Sequence, residues 1–260
     1  MKVIVLGSGG SGGVPLVGCA CAVCTSANPR NRRTRVSIVV EEGPVRVLID
    51  AAPDLRAQLL ASGIKHLDAV ILTHAHADHL HGIDDLRAIN HHRDAPLDIW
   101  ADAATLAEAR GRFGYAFEPP RTADGIWYAP ALVGREIAGP FAIGSLGVTP
   151  FAQIHGGDRL PTLGLRFGRF AYSTDVKTLP EEAFAALSGI DAWVVDCLQE
   201  RPNVAHSHLA QTLDWIQRVK PKRAYLTHMN HTLEYAALAA NLPPGIEPAY
   251  DGQVIDVDEI

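Results

Sequence analysis

The sequence predicts an α/β protein in which mixed β-sheets carry helices on their outer faces. Three observations lead there. Short apolar runs alternate with helical periodicity along the 260 residues, the pattern left by strands joined through crossover helices. Runs 35–40 and 45–49, separated only by Glu41-Glu42-Gly43-Pro44, read as an antiparallel hairpin, so a purely parallel sheet fits less well. Several runs also end in a His or an Asp, as expected of a layered enzyme whose site lies just past its core strands.

Strands are expected at 2–6, 35–40, 45–49, 69–72, 97–101, 146–153, 163–167, 169–173, 192–196, 223–226 and 253–257. Helical spacing is clearest at 54–62, 79–90, 103–112, 180–188, 207–219 and 232–240. The opening Met1-Lys2-Val3-Ile4-Val5-Leu6-Gly7 is too short for a signal peptide and reads as the first strand. Residues 112–140, rich in Gly, Pro and Arg, resist assignment and suggest an insertion near the mouth of a site. No repeat, linker or low-complexity segment interrupts the chain, so one domain over 1–260 is expected.

Composition narrows the function classes. At 47% hydrophobic and 20% charged residues the chain can bury a large core and is far from disordered compositions. No stretch reaches the ~20 apolar residues of a membrane span, so no membrane partner is expected. A formal charge of −6 argues against general nucleic-acid affinity. A cytoplasmic protein is the expectation.

The richest segment is Thr73-His74-Ala75-His76-Ala77-Asp78-His79, directly after the buried-strand run Ala69-Val70-Ile71-Leu72. Imidazole and carboxylate are the ligands that zinc and related divalent ions take. Two histidines one residue apart can reach one ion, and the Asp78-His79 pair can hold a second. Three later residues repeat the design of a ligand past a strand end: His155, Asp175 and His228. Each alone passes for a polar loop residue; together they describe a two-metal hydrolase.

Cys19, Cys21 and Cys24 form C-x-C-x2-C, while Cys197 sits in the buried pattern Trp193–Leu198 and reads as a small core residue. Without a secretion signal, three thiols in six residues suggest a metal site rather than disulfides. A tetrahedral zinc needs a fourth ligand, for which His231 is the candidate. Gly7-Ser8-Gly9-Gly10-Ser11-Gly12 matches G-x-G-x-x-G, but Pro15 and the cysteines follow where a dinucleotide site needs a helix. It reads as the backbone-rich rim of a site or a tight turn.

The order His74-x-His76-x-Asp78-His79, His155, Asp175, His228 resembles the metallo-β-lactamase superfamily. Within it, the loop Gly18-Cys19-x-Cys21-x2-Cys24, the stretch Leu226-Thr227-His228-x2-His231 and the segment around His206 most resemble the phosphodiesterases of the bacterial carbon–phosphorus lyase (phosphonate) pathway, which act on phosphoribosyl cyclic phosphate. The resemblance implies an αββα sandwich with His74, His76 and His155 on one metal, Asp78, His79 and His228 on the other, and Asp175 bridging. It implies two active-site ions (zinc, manganese or iron), a metal-bridging hydroxide as nucleophile, and a structural zinc on Cys19, Cys21, Cys24 and His231. His206 becomes the candidate general acid, a histidine pKa of about 6.5 suiting proton transfer near neutrality, and His208 a supporting residue. Asp78 and His206 are the candidate catalytic residues. The expected partner is a small phosphodiester substrate, and a homodimer is expected from the family alone.

Asp50, after Val45-Arg46-Val47-Leu48-Ile49, is expected to orient a metal-binding histidine rather than bind metal. His81, Asp84 and Asp85 read as solvated helix positions, and His91 and His92 as a possible border of the substrate mouth. Arg110, Arg112, Arg121 and Arg135 can meet a phosphate, although most surface arginines do not. Competing functions are a lactone or thioester hydrolase, a tRNA 3′-processing nuclease, an iron redox enzyme, and a non-hydrolytic relative resembling the B-type protein of pyrroloquinoline-quinone biosynthesis. The nuclease lacks its usual basic arm here, the redox enzyme its flavin domain, and the non-hydrolytic relatives an intact H-x-H-x-D-H.

Overall fold

The computed structural model describes residues 1–119, 122–123, 126–156 and 160–258; Arg121 and Gly157 lie outside them. Along the chain run β1 (Lys2–Gly7), β2 (Ser37–Glu42), β3 (Val45–Ile49), α1 (Leu55–Ser62), β4 (Ala69–Ile71) and α2 (Ala77–Leu80). Next come α3 (Leu86–Arg93), β5 (Leu97–Ala101), α4 (Ala103–Phe113), the short pair β6 (Thr122–Ala123) and β7 (Ile126–Trp127), and β8 (Leu132–Glu136). The second half holds β9 (Phe141–Ile143), β10 (Leu146–His155), β11 (Leu160–Phe167), β12 (Phe170–Ser173), α5 (Glu181–Ala186) and β13 (Ala192–Asp196). It closes with α6 (Leu209–Val219), β14 (Arg223–Thr227), α7 (Tyr235–Asn241), β15 (Ile246–Pro248) and β16 (Val254–Asp256).

Two mixed sheets result, ordered β16-β1-β2-β3-β4-β5-β8 and β15-β14-β13-β12-β11-β10-β9. In each, one half is antiparallel and the other parallel, from β3 to β8 in the first and from β12 to β15 in the second. Alternation puts Val3, Val5, Ile38, Val47 and Ile71 of one sheet against Phe167, Phe170, Tyr172 and Val194 of the other. The opposite residues of the first sheet, such as Ile4, Val39, Leu48 and Val70, pack with Leu55, Leu59, Leu86 and Leu106 of α1, α3 and α4. Those of the second, such as Ala171, Trp193 and Val195, pack with Ala183, Trp215 and Leu238 of α5, α6 and α7. Helices thus cover both outer faces in an αββα sandwich. No helix among the described residues is long and apolar enough to cross a membrane.

Besides the short pair β6 and β7, the strands not expected from the sequence are β8, β9 and β15, and all three are edges of the two large sheets. An edge strand has one neighbour and needs few apolar residues; in Leu132-Val133-Gly134-Arg135-Glu136 only Leu132 is buried. The helix expected at 79–90 is broken into α2, a 3₁₀ turn at Ile83–Asp85, and α3. Gly82 breaks it. Its N–H donates to the carbonyl of Ala51 at 2.8 Å, and a Cβ there would lie 2.0 Å from the Ala52 oxygen. Only glycine lets the segment after the His-Asp motif lie against the backbone that follows β3.

Candidate metal centre

The parallel halves of both sheets point their C-terminal strand ends at one edge of the sandwich, where ligands of open α/β sheets generally bind. From the first sheet, β3 runs into Asp50 and β4 into Thr73 and His74, with α2 carrying Asp78 and His79. From the second, β10 ends at His155, β12 leads to Asp175, β13 ends at Asp196 and β14 leads to His228. The sharp exits need unusual backbone: Asp50, Asp175 and His228 have φ of 64°, 48° and 57°. Left-handed conformation costs a non-glycine residue roughly 1–2 kcal/mol, so tertiary packing holds these turns in place.

Two groups of metal-capable atoms form there, each within 4.8 Å: His74, His76, His155 and Asp175, and Asp78, His79, Asp175 and His228. Asp175 belongs to both. Its Oδ2 lies 3.7 Å from Nε2 of both His74 and His155, and its Oδ1 lies 3.0 Å from His79 Nε2 and 3.3 Å from His228 Nε2. One carboxylate oxygen therefore faces each group. His76 is exposed while the other members are buried, so the cluster opens to solvent on the His76 side.

The histidines are aimed from behind. His79 Nδ1 donates to Asp50 Oδ2 at 2.7 Å, and Asp50 also accepts from the Thr73 amide and hydroxyl. Thr73 Oγ1 in turn lies 3.0 Å from His74 Nδ1, so buried Asp50 braces one histidine of each group. Asp50 is itself a member of neither group, in keeping with its expected orienting role. His155 Nδ1 donates to the Ala205 carbonyl at 2.9 Å. Every such bond turns an Nε2 toward the centre, and those of His74 and His79 are buried without a hydrogen-bond partner among the described residues. Asp50→Asn is expected to weaken metal binding ~10–100-fold while the fold persists, as read by competition with a chromogenic zinc chelator; unchanged affinity would refute the bracing role.

The electrostatics ask for a cation. Burial alone would lower the His228 imidazolium, but Asp175, Asp78 and Asp196 raise it to about 9. Burial also opposes the charge on His79, yet Asp175, Asp50 and Asp78 hold it well above the ordinary histidine range. Burial, helped by His79, keeps His74 neutral. The carboxylates of Asp78 and Asp175 thus draw positive charge into a buried centre, and with the imidazoles of the two groups they form a donor set that fits divalent cations.

Of the two histidines opening α6, the structure brings His206 to the centre. Its ring lies 4.5 Å from that of His155 and 4.6 Å from that of His228, and its Nδ1 lies 3.1 Å from Asp196 Oδ2 and 3.9 Å from Asp175 Oδ2. His208 is the N-cap position of α6, away from these contacts. Asp196 was not singled out from the sequence. Fully buried, it groups with His206 and His228, but in Trp193-Val194-Val195-Asp196 it looks like the last residue of an apolar strand.

Cys19, Cys21 and Cys24 form a separate group with sulfurs within 4.8 Å of one another. The Cys24 amide donates to Cys21 Sγ at 3.5 Å and lowers that thiol's pKa, whereas burial raises Cys24. His231 differs from expectation: its carbonyl, 3.7 Å from Cys21 Sγ, makes the contact, and its ring is not part of the group. Cys197 is buried among apolar residues, as expected. Cys21→Ser is expected to cost one equivalent of zinc and roughly 5–10 °C of melting temperature; equal zinc content and equal melting would count against a structural metal.

The glycine loop is a rim, not a nucleotide site. Gly10 and Met229 are backbone partners, and a Cβ on Gly10 would stand 3.3 Å from the His228 oxygen. His81 stacks edge-on against Phe113, and Asp84 accepts from the Tyr115 hydroxyl. His91 and His92 close α3. Arg135 pairs with Asp98 and Arg110 lies over the Phe117 ring, whereas Arg112 reaches the metal loop by donating to the Ala75 carbonyl at 2.6 Å.

Comparison with known proteins agrees with this layout. A family model described as a β-lactamase superfamily domain matches residues 45–229. A solved diphosphatase from the PhnP family superposes with a TM-score of 0.90 at 34% identity, covering 98% of this chain and 97% of that one. Zinc-bound PqqB from Methylobacterium extorquens shares the fold, with a TM-score of 0.79 at 23% identity over 98% of this chain and 100% of its own. Among curated proteins, an octanoyltransferase of Porphyromonas gingivalis is 37% identical over all of this chain, which spans only 52% of its length. A coenzyme PQQ synthesis protein B of Methylobacterium nodulans is 39% identical over 34% of each chain.

Proposed function

The chain belongs to the metallo-β-lactamase superfamily, and from that premise we propose that it is a metal-dependent phosphodiesterase acting on small or cyclic phosphodiesters, phosphoribosyl 1,2-cyclic phosphate among them. The observation that carries the reading is Asp175, whose two oxygens each face one group of three further donors. His74, His76 and His155 would hold one divalent ion and Asp78, His79 and His228 a second, with Asp175 available to both. Bound there, zinc or manganese supplies a Lewis acid and lowers the pKa of water from 15.7 to about 7.

The chain's own residues do the rest. Asp50 and Thr73 hold the imidazoles with Nε2 inward, so little reorganisation accompanies the reaction. Asp196 accepts from Nδ1 of His206 and leaves Nε2 of that ring to give a proton to the departing alkoxide. The Asp78 carboxylate, 3.5 Å from His228 Nε2, holds that ring's orientation. The diphosphatase likeness supports phosphorus chemistry at such a site.

Bis-p-nitrophenyl phosphate hydrolysis by manganese- and zinc-loaded protein tests the reading. Metal-dependent nitrophenolate release that disappears in His76→Ala is expected. No turnover with either metal, despite two bound ions, would overturn it. A second reading, hydrolysis of an acyl thioester, is favoured only by the full-length likeness to a protein named octanoyltransferase. This chain spans about half of that protein, so the name belongs to a chain about twice as long. Turnover of an octanoyl thioester without diester turnover would favour it.

A further inference from the structure

The centre opens on the side of His76, its one exposed member. Ala75, between the two histidines of the motif, has its carbonyl taken by Arg112 Nη1 at 2.6 Å. The Arg112 guanidinium therefore stands on the rim of that opening, anchored by one N–H to the metal loop. Its side chain is 40% exposed. Among the described residues its only other partner is Glu108, one turn back on α4, at 2.8 Å from Nη2. That pair is an exposed i,i+4 contact, the kind that is weak and readily exchanged. Holding one carbonyl uses one of the five N–H donors of a guanidinium, and the planar fork suits two phosphate oxygens at once. Neither Arg110 nor Arg135 is placed to compete, because each is engaged elsewhere on the sheet edge.

We propose that Arg112 is the specificity residue for substrates bearing a second phosphoryl group, and that it binds the phosphate that is not hydrolysed. The proposal rests on the phosphodiester reading above and adds to it the residue that favours a diphosphate, or a diester with a further phosphate, over a diester with one. Glu108 is its internal competitor.

Calorimetric titration of metal-loaded protein with adenosine 5′-(α,β-methylene)diphosphate and with AMP separates this from the reading beneath it, because binding is measured without turnover. The parent should bind the diphosphate at least about tenfold more tightly than the monophosphate. Arg112→Ala should bring that ratio to about one, and Arg112→Lys, which keeps the charge but not the fork, should fall between. Glu108→Gln should raise diphosphate affinity about two- to threefold, a gain that a purely structural Arg112 does not produce. Metal content is measured for each variant; if Arg112→Ala loses its ions, the Glu108→Gln result decides alone. No diphosphate preference in the parent, a ratio unchanged in Arg112→Ala, or no gain in Glu108→Gln would overturn the proposal, whereas failure to hydrolyse bis-p-nitrophenyl phosphate would overturn only the reaction assigned to the site.

Discussion

Asp175→Asn is expected to lower phosphodiester turnover at least ~1000-fold, since metal centres of this kind supply several kcal/mol of charge stabilisation and each 1.36 kcal/mol is tenfold. The substitution is chosen because it isolates charge. Asparagine has nearly the volume of aspartate and tolerates the left-handed backbone at φ 48°, so the turn after β12 should form as before. What is lost is the anion whose oxygens face His74 and His155 on one side and His79 and His228 on the other. Elemental analysis should show fewer than two ions per chain in the variant, with circular dichroism unchanged. Two retained ions together with a tenth or more of the parental turnover would show that Asp175 is not shared between them.

The second large effect is on stability. Gly82→Ala puts a methyl group 2.0 Å from the Ala52 oxygen and 3.0 Å from the Ala51 oxygen. Backbone cannot give way as a flexible side chain does, so either α2 lifts or the turn after β3 moves. Overpacking costs ~1–3 kcal/mol, and losing the buried bond from Gly82 N–H to Ala51 adds ~1–3 kcal/mol. At roughly 2–4 °C per kcal/mol for a domain of this size, the melting temperature should fall by about 5–20 °C. The displaced elements carry Asp78, His79 and Asp50, so metal affinity should fall with it. A melting temperature within 2 °C of the parent would show that the contact relaxes freely.

How legible each part was follows from how local its cause is. His74, His76, Asp78 and His79 share one strand end, and their spacing alone implies a metal pair. His155, Asp175 and His228 were readable as residues just past apolar runs, since a strand end sets its next residue at the sheet edge. Asp196 was not, because its role arises from what crosses from elsewhere: the His206 ring and the loop after β14 both come to it through tertiary packing. Arg112 is likewise one arginine among several until α4 docks on the metal loop. The helix expected at 79–90 failed because periodicity carries no information about Ala51 and Ala52, which forbid it to pass Gly82 intact. His231 was matched to the thiols by residue type, and the fold delivers its backbone instead.

The division of the centre between two sheets also dates its assembly during synthesis. Asp78 and His228 are 150 residues apart in the chain. At about 5–20 residues per second, a ribosome needs roughly 8–30 s to travel from one to the other. Throughout that interval the His-Asp motif waits without the opposing half that completes its donor set. The complete donor set therefore exists only once nearly the whole chain has been made.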